Sequence, residues 1–228
     1  MTIKKLVATA IALLFLAPLS YAATAQQIKI KSTQGLNPKV LHMALSGYHW
    51  AVAKGKVKNK RYLTVVDYTK PSSQKRLWVI DLKIGKVKMK LHAAHGTNTG
   101  GKRSTRFSNR VNSKQTSLGV FTTANTYYGK HGLSLRLRGL EKGINHNAMK
   151  RAIVVHPAKY VSAAKVGRSW GCIALNPKVS KRFIKLTKGG SVIFSYGEPT
   201  NRYAFKVRKY KGKKLYVQNK RRSIDRDV

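Results

Sequence analysis

Short runs of β-branched and aromatic residues, separated by turn-forming residues, dominate the chain from residue 62 onward. Runs of this length and composition are typical of β-strands. They span Tyr62–Tyr68, Leu77–Leu82, Lys86–Ala93, Leu118–Thr123, Leu133–Leu137, Arg151–His156, Ser191–Tyr196 and Ala204–Val217. So many short strands predict a mostly-β domain, folded as a sandwich or an open barrel.

Two segments have the signs of a helix instead. Apolar residues recur at helical spacing from Pro38 to about Lys54. A second, short helix is predicted after Asn176-Pro177, because Asn caps a helix and Pro suits its first position. Gly189-Gly190 should end it. The predicted fold is therefore mostly β, with one N-terminal helix and one short helix near the C-terminal end of the domain.

The first 25 residues have the pattern of an export signal. Lys4 and Lys5 precede an apolar run over residues 6–16, and small residues follow around Ala22 and Ala25. These are the parts of a secretory signal peptide. An uncleaved membrane anchor is the alternative, but the apolar run is shorter than the roughly 20 residues that a span needs. We expect export to the periplasm or cell wall, with cleavage after Ala22 or Ala25.

The charge of the chain is extreme. The sequence has 47 Lys and Arg residues against six Asp and Glu, a formal net charge of +41. Such a balance favours anionic partners: nucleic acid, an anionic membrane surface or an acidic polymer. A basic surface that only keeps the protein soluble is the alternative. Because export disfavours nucleic acid, we expect peripheral contact with an anionic envelope surface.

Cys172 is the only cysteine, so no intramolecular disulfide can form. A lone thiol in an oxidising compartment is a hazard unless it is buried or used. A predicted strand ends at His156, sixteen residues earlier, and an imidazole can take the proton of a thiol. Arg168 and the following helix N-terminus would stabilise a thiolate, and the N–H groups of Gly171 and Cys172 would hold an oxyanion. An inert cysteine and a hydrogen-bonded histidine at a strand end stay open as alternatives.

The residues around this pair resemble a known family. His156, its spacing and Ser169-Trp170-Gly171-Cys172 resemble the signature of YkuD-type cysteine L,D-transpeptidases, and most closely their murein L,D-transpeptidase catalytic-domain subgroup. The resemblance runs in order from about Leu63 to Tyr196 and includes three further blocks. These blocks are residues 95–100 (HGTNTG), 116–121 (TSLGVF) and 139–145 (GLEKGIN).

The resemblance implies an acyl transfer on bacterial peptidoglycan. Cys172 would attack the amide between the meso-diaminopimelate and the terminal D-alanine of a stem tetrapeptide, forming a thioester and releasing D-alanine. An amine would then take the acyl group. The imidazole of His156 would be oriented by a backbone carbonyl rather than by an acid, and the reaction would use no cofactor and no metal.

Residues near the pair are candidates for holding the substrate. His95 and Gly96 would line the donor pocket, with a simple turn at a strand end as the alternative, and Arg168, Ser169 and Trp170 would complete the substrate-binding set, with core packing as the alternative for Trp170. The chain departs from many members of the family at two positions, since Trp170 precedes Gly171 and Ala174 stands where those members have Arg or Asn. We expect nearby basic residues, Arg168 or Arg151, to bind the carboxylates of the stem peptide instead.

Four segments are predicted: a signal peptide (1–22), a polar leader with a helix (23–60), an L,D-transpeptidase-like catalytic domain (61–217) and a basic tail (218–228). The partners would be peptidoglycan stem peptides, with another stem peptide or an envelope protein as the acyl acceptor. Two other functions stay open. One is a cysteine L,D-carboxypeptidase or peptidoglycan hydrolase, in which water replaces the acceptor amine. The other is a non-enzymatic basic protein that binds an anionic envelope polymer.

Overall fold

The computed structural model describes Ile28, residues 30–161 and residues 168–198, together with the backbone of two strands within residues 205–218. The helices are α1 (Pro38–Ala53) and α2 (Pro177–Thr187), with a short 3₁₀ turn at Thr97–Thr99. The strands are β1 (Tyr62–Asp67), β2 (Leu77–Asp81), β3 (Lys86–Leu91), β4 (Gly119–Gly129), β5 (Gly132–Gly139), β6 (Val154–Pro157), β7 (Ile173–Leu175), β8 (Val192–Tyr196), β9 (Phe205–Tyr210) and β10 (Lys213–Gln218).

Eight of these strands form one curled sheet, a half-barrel in the order β3-β2-β1-β8-β4-β5-β6-β7. Most neighbours are antiparallel, but β1 pairs with β8 and β6 pairs with β7 in parallel. The prediction of a mostly-β fold with two helices is confirmed. The parallel β6–β7 pair lies at one edge of the sheet, and the candidate site is built on it.

Helix α1 covers the middle of the sheet. Asn37 accepts a hydrogen bond from the Lys39 N–H, as a helix cap does, and the inward face of the helix belongs to the same apolar core as β1, β4 and β8. Gly47 is required for this packing, since an added Cβ would lie 2.8 Å from Val120 Cγ2. The helix placed in the leader by the sequence analysis is therefore part of the core of the domain.

Two strand predictions were wrong in their bounds. The β4–β5 hairpin is longer than the sequence indicated, because β4 continues past a register shift between Thr123 and Thr126 to a turn at Lys130 and His131. The strand predicted to begin at Arg151 begins only at Val154. Ala152 has a φ of 50° and the Ile153 N–H donates to the Ala148 carbonyl, so these residues form a turn.

The last two strands stand apart from the main sheet. β9 and β10 pair with each other, antiparallel, as a separate two-stranded sheet. The predicted signal peptide and the residues after 218 lie outside the described residues. No helix in the part of the chain that the structure describes is long and apolar enough to cross a membrane.

Candidate active site

The β6–β7 pair presents His156 and Cys172. Val155 is opposite Ile173 and both pack in the main core, whereas His156 is opposite Ala174, which packs in a separate small cluster with Ala94. Side chains alternate between the two faces of a sheet. His156 therefore faces away from the main core, and Cys172, which adjoins Ile173 on the other side, is presented toward the same face as His156.

The His156 ring has a defined tautomer. Its Nδ1 lies 3.0 Å from the Pro157 carbonyl oxygen, and because a carbonyl only accepts, Nδ1 carries the proton and Nε2 has a lone pair. The side chain is 5% exposed. Burial lowers the pKa of His156, the Pro157 hydrogen bond acts in the opposite direction, and the charge of His131 lowers it further. The ring is therefore a neutral base at neutral pH.

The Cys172 thiol is half-buried. Its Sγ lies 3.6 Å from the Ala152 carbonyl oxygen, to which it donates. Burial raises the pKa of Cys172, while a hydrogen bond from the Val154 backbone and the charge of Arg151 lower it. A raised thiol pKa and a lowered imidazole pKa both favour the neutral form of the group at rest.

A serine holds the turn that leads to Cys172. Ser169 Oγ donates to the Cys172 carbonyl at 2.7 Å and accepts from the Gly171 N–H at 3.1 Å. Gly171 has a φ of 118°, and an added Cβ would lie 2.7 Å from the Gln115 carbonyl oxygen, so only glycine fits. Ser169, predicted to bind substrate, is thus buried against its own turn, and the Gly171 N–H predicted to hold an oxyanion is already hydrogen-bonded.

His95 lies behind this turn, and its predicted place along the donor pocket needs correction. Its side chain is completely buried; Arg76 Nη2 donates to Nδ1 at 2.7 Å, and Nε2 donates to the Gly100 carbonyl at 3.1 Å. Burial, with Arg76 adding to it, lowers the pKa of His95 to about 4, so the ring is neutral. The His95 carbonyl accepts from the Ser169 N–H at 2.8 Å. His95 therefore supports the nucleophile turn from within.

Gly96 is in direct contact with the nucleophile turn. It forms an isolated parallel bridge with Ser169, and an added Cβ would lie 3.0 Å from the Gly171 Cα and 2.3 Å from the Lys114 carbonyl oxygen. The glycine allows the loop after β3 to pass close to Gly171. Gly96 therefore reaches the nucleophile turn through its backbone.

Arg151 was named from the sequence only as a candidate for binding carboxylates. Its guanidinium instead donates to the Ser108 carbonyl at 2.7 Å, the Gln115 carbonyl, Ser117 Oγ, and Ser113 Oγ at 3.2 Å. It ties the 108–117 loop to the turn before β6 and places a positive charge where it lowers the pKa of Cys172. The one signal in the sequence was an arginine at the start of the strand predicted to end at His156.

Trp170 and Lys114 form an exposed pair next to the nucleophile. The Trp170 side chain is 70% exposed, although it lies two residues before Cys172, and the Lys114 ammonium is 4.7 Å from the centre of its ring. Arg168 is exposed on the same segment. This exposed aromatic surface, flanked by cations, can take a ligand that carries both apolar groups and carboxylates.

The 139–145 block supports β4. Glu141 Oε2 accepts from the Val120 N–H at 2.6 Å, and the Asn145 side chain donates to the Leu118 and Val120 carbonyls. Gly119 has a φ of 96° and passes against Glu141. Among the described residues, no group of three or more His, Cys, Asp or Glu side chains is arranged to hold a metal ion.

The chain belongs to the family of L,D-transpeptidase catalytic domains, whose model matches residues 32–196. The resemblance identified from the sequence is therefore confirmed at the level of the family, which is a family of enzymes. No curated protein matches the chain.

Several solved structures are similar to it. An L,D-transpeptidase from Mycobacterium smegmatis has 17% identity and a TM-score of 0.40, with 60% of this chain and 59% of that chain covered. An L,D-transpeptidase from Stackebrandtia nassauensis has 16% identity and a TM-score of 0.38, with 68% and 66% covered. L,D-transpeptidase 3 from Mycobacterium tuberculosis, solved with a faropenem-derived adduct, has 14% identity and a TM-score of 0.38, with 60% of each chain covered. The chain spans about three fifths of the length of the first of these proteins.

Proposed function

We propose that the protein is an exported peptidoglycan L,D-transpeptidase, with Cys172 as the nucleophile and His156 as its base. The observation that carries the proposal is the parallel β6–β7 register, which presents both residues on one face, with Nδ1 of His156 bound to the Pro157 carbonyl. That hydrogen bond leaves Nε2 as the proton acceptor. Family membership supplies the reaction class.

Acylation starts from the neutral pair. As Sγ attacks the carbonyl between meso-diaminopimelate and the terminal D-alanine, Nε2 of His156 takes the thiol proton. The tetrahedral intermediate collapses, the C–N bond breaks, and the imidazolium returns the proton to the departing amine of D-alanine. The products are a Cys172 thioester and free D-alanine, so atoms and charge balance.

Deacylation repeats these steps with a second amine. The acceptor amine attacks the thioester carbonyl, His156 takes its proton, and the thiol leaves with that proton. A stem peptide as acceptor gives a crosslink, a lysine of an envelope protein gives an anchor, and water gives hydrolysis. At equal concentration an amine is a far better nucleophile than water. A site that also excludes water therefore favours transfer to the amine over hydrolysis.

The oxyanion would be held by the turn that carries Cys172. The N–H of Cys172 would be the main donor to the oxyanion, because the N–H of Gly171 already donates to Ser169 Oγ in the resting structure. For Gly171 to contribute, the Ser169 hydroxyl must release it and keep its own bond to the Cys172 carbonyl. The nearby Arg151 guanidinium adds positive charge on this side of the thiol.

Substrate binding is assigned to the exposed side of the same turn. Trp170 would pack against the stem peptide, and Arg168 and Lys114 would bind its carboxylates. These two cations would take the role of the Arg or Asn that many family members have at the position of Ala174. Ala174 is completely buried, so no substrate reaches its side chain. Gly96 would contribute its backbone, and His95 and Ser169 would keep the turn in shape.

The reaction is tested by incubating the protein with purified disaccharide-tetrapeptide. We expect a mass increase equal to the tetrapeptide muropeptide minus D-alanine on the intact protein, followed by crosslinked dimers in the product mixture. Tripeptide without dimers would make the protein a carboxypeptidase. Neither adduct nor product, with a folded protein and intact Cys172, would contradict the proposed function and leave a binding protein.

We further propose that the basic surface holds the protein on the anionic sacculus. Three of the four described acids, Asp67, Asp81 and Glu141, are at most 3% exposed, so they offset almost none of the surface charge. The outward face of α2 is basic, with exposed residues Lys178, Lys181, Arg182 and Lys185. Stem peptides carry free carboxylates, and many weak contacts add through multivalency.

Binding to sacculi should therefore fall steeply as salt rises, because exposed charges are screened over about 8 Å at physiological ionic strength. Turnover of a small soluble muropeptide should change little over the same salt series. Two charge reversals to Glu compare two basic regions. One changes Lys178, Lys181 and Lys185 on α2, and the other changes Lys211, Lys213 and Lys214, whose side chains lie outside the described residues. If both variants pellet with sacculi like the parent at every salt concentration, the basic surface serves solubility alone.

A further inference from the structure

A second histidine covers the His156 ring. The imidazoles of His131 and His156 are stacked, with ring centroids 4.6 Å apart and an angle of 28° between the ring planes. His131 is exposed and belongs to the two-residue turn of the β4–β5 hairpin, whereas His156 is buried. One face of the proposed base is thus closed by a residue 25 positions earlier in the chain.

The sheet register brings the two rings together. β5 pairs antiparallel with β6 through Leu135–Val155 and Arg136–Val154. From the Leu135–Val155 pair, the same direction leads back along β5 to the hairpin turn and forward along β6 to His156. A Cβ added to Gly132 would lie 3.8 Å from Pro157 Cγ, so the backbone of the hairpin turn passes near the residue whose carbonyl accepts from Nδ1. The hairpin tip therefore lies beside the His156–Pro157 unit, and the His131 ring is the group that contacts it.

We propose that His131 is a positioning residue for His156: its stacked ring holds the His156 imidazole in the plane in which Nδ1 binds the Pro157 carbonyl and Nε2 stays free for the thiol. Two aromatic rings in an offset, parallel stack attract each other, and this adds to the stabilisation from the apolar area that they bury. Without the stack, the ring of His156 loses one of the contacts that fix it and rotates more freely about its side-chain bonds.

The charge of His131 has a second consequence for the same base. A protonated His131 at this distance opposes protonation of His156, which is the direction of the effect on the pKa of His156. His131 therefore lowers the pKa of His156 in addition to holding its ring.

This inference rests on the proposed function, and alkylation of Cys172 by iodoacetamide tests the two separately. The rate is followed by intact mass from mildly acidic to mildly alkaline pH. We expect H131A to slow alkylation about two- to tenfold, and H131F, which keeps a ring but no charge, to restore the rate at alkaline pH. The acidic limb of H131F should lie at higher pH than that of the parent. K130A, the exposed neighbour on the same turn, removes a cation without removing a ring and should match the parent.

The outcomes separate cleanly. If H156A slows alkylation and H131A does not, the pair is intact and the positioning role of His131 is wrong. If H131A slows alkylation and H131F is equally slow at alkaline pH, the stacked ring is not what positions the base, and the proposal is also wrong. If H156A itself reacts at the parental rate, the proposed pairing of Cys172 with His156 fails.

Discussion

Replacement of Cys172 by Ala is expected to abolish both the acyl adduct and turnover, with the largest loss of activity of any single substitution. The chain has no other thiol, and a methyl group has no lone pair with which to attack the amide carbonyl. The measurement is intact mass after incubation with the tetrapeptide muropeptide, together with chromatography of released D-alanine.

The fold of this variant should be preserved. Cys172 is half-buried and precedes β7, and its thiol makes a long hydrogen bond to the Ala152 carbonyl. Loss of that contact should leave the midpoint of thermal unfolding close to that of the parent. C172S provides a second comparison, because it keeps a hydroxyl of similar shape but a much weaker nucleophile. A persistent adduct on C172A would place acylation on another residue and refute the assignment.

The local parts of this structure were predictable from the sequence. Asn176 caps α2 by accepting from the Lys178 N–H, and Pro177 follows at the first helical position, as predicted. Pro157 ends β6, and Gly189 and Gly190, both with positive φ, follow α2. Each of these features depends on the chemistry of neighbouring residues, which is why a single sequence reveals it.

The supporting network around the thiol was not predictable in the same way. His95 was expected to face the substrate, but Arg76, 19 residues earlier, and Gly100 take both of its nitrogens. The Arg151 contacts with the 108–117 loop and the stack of His131 on His156 likewise join distant segments. Such contacts depend on strand register and on the path of the loops, and neither can be inferred from local composition.

The same limit explains the errors at β4 and β6. The hairpin was predicted too short, because a register shift after Thr123 interrupts the alternation that would have revealed its outer half. β6 was predicted too long, since the apolar run of Ile153 and Val154 does not show that Ala152 takes a positive φ. That turn has a function in the proposed site, because its carbonyl at Ala152 accepts from the Cys172 thiol.

Replacement of His156 by Ala is expected to have the second largest effect, a fall of about 100- to 10,000-fold in kcat/KM, the usual range for a general base. Nε2 of His156 is the proposed proton acceptor, and the Cys172 thiol has a raised pKa, so very little thiolate exists without the base. The matched control is H42A, which removes an exposed histidine from α1 and should leave kcat/KM unchanged.

The pH dependence of the two proteins should differ in shape. Burial lowers the pKa of His156, so the base stays neutral to lower pH than an exposed histidine, and the parent should lose activity only below the ordinary titration range of histidine. In H156A the rate should instead rise with pH, following the thiolate fraction of Cys172 into the alkaline range. The deficit of the variant should therefore be largest near neutrality and smallest in alkali, and added imidazole should restore part of the rate at neutral pH. If H156A has the parental pH profile at a uniformly reduced rate, His156 acts on the stability or shape of the site and is not the base.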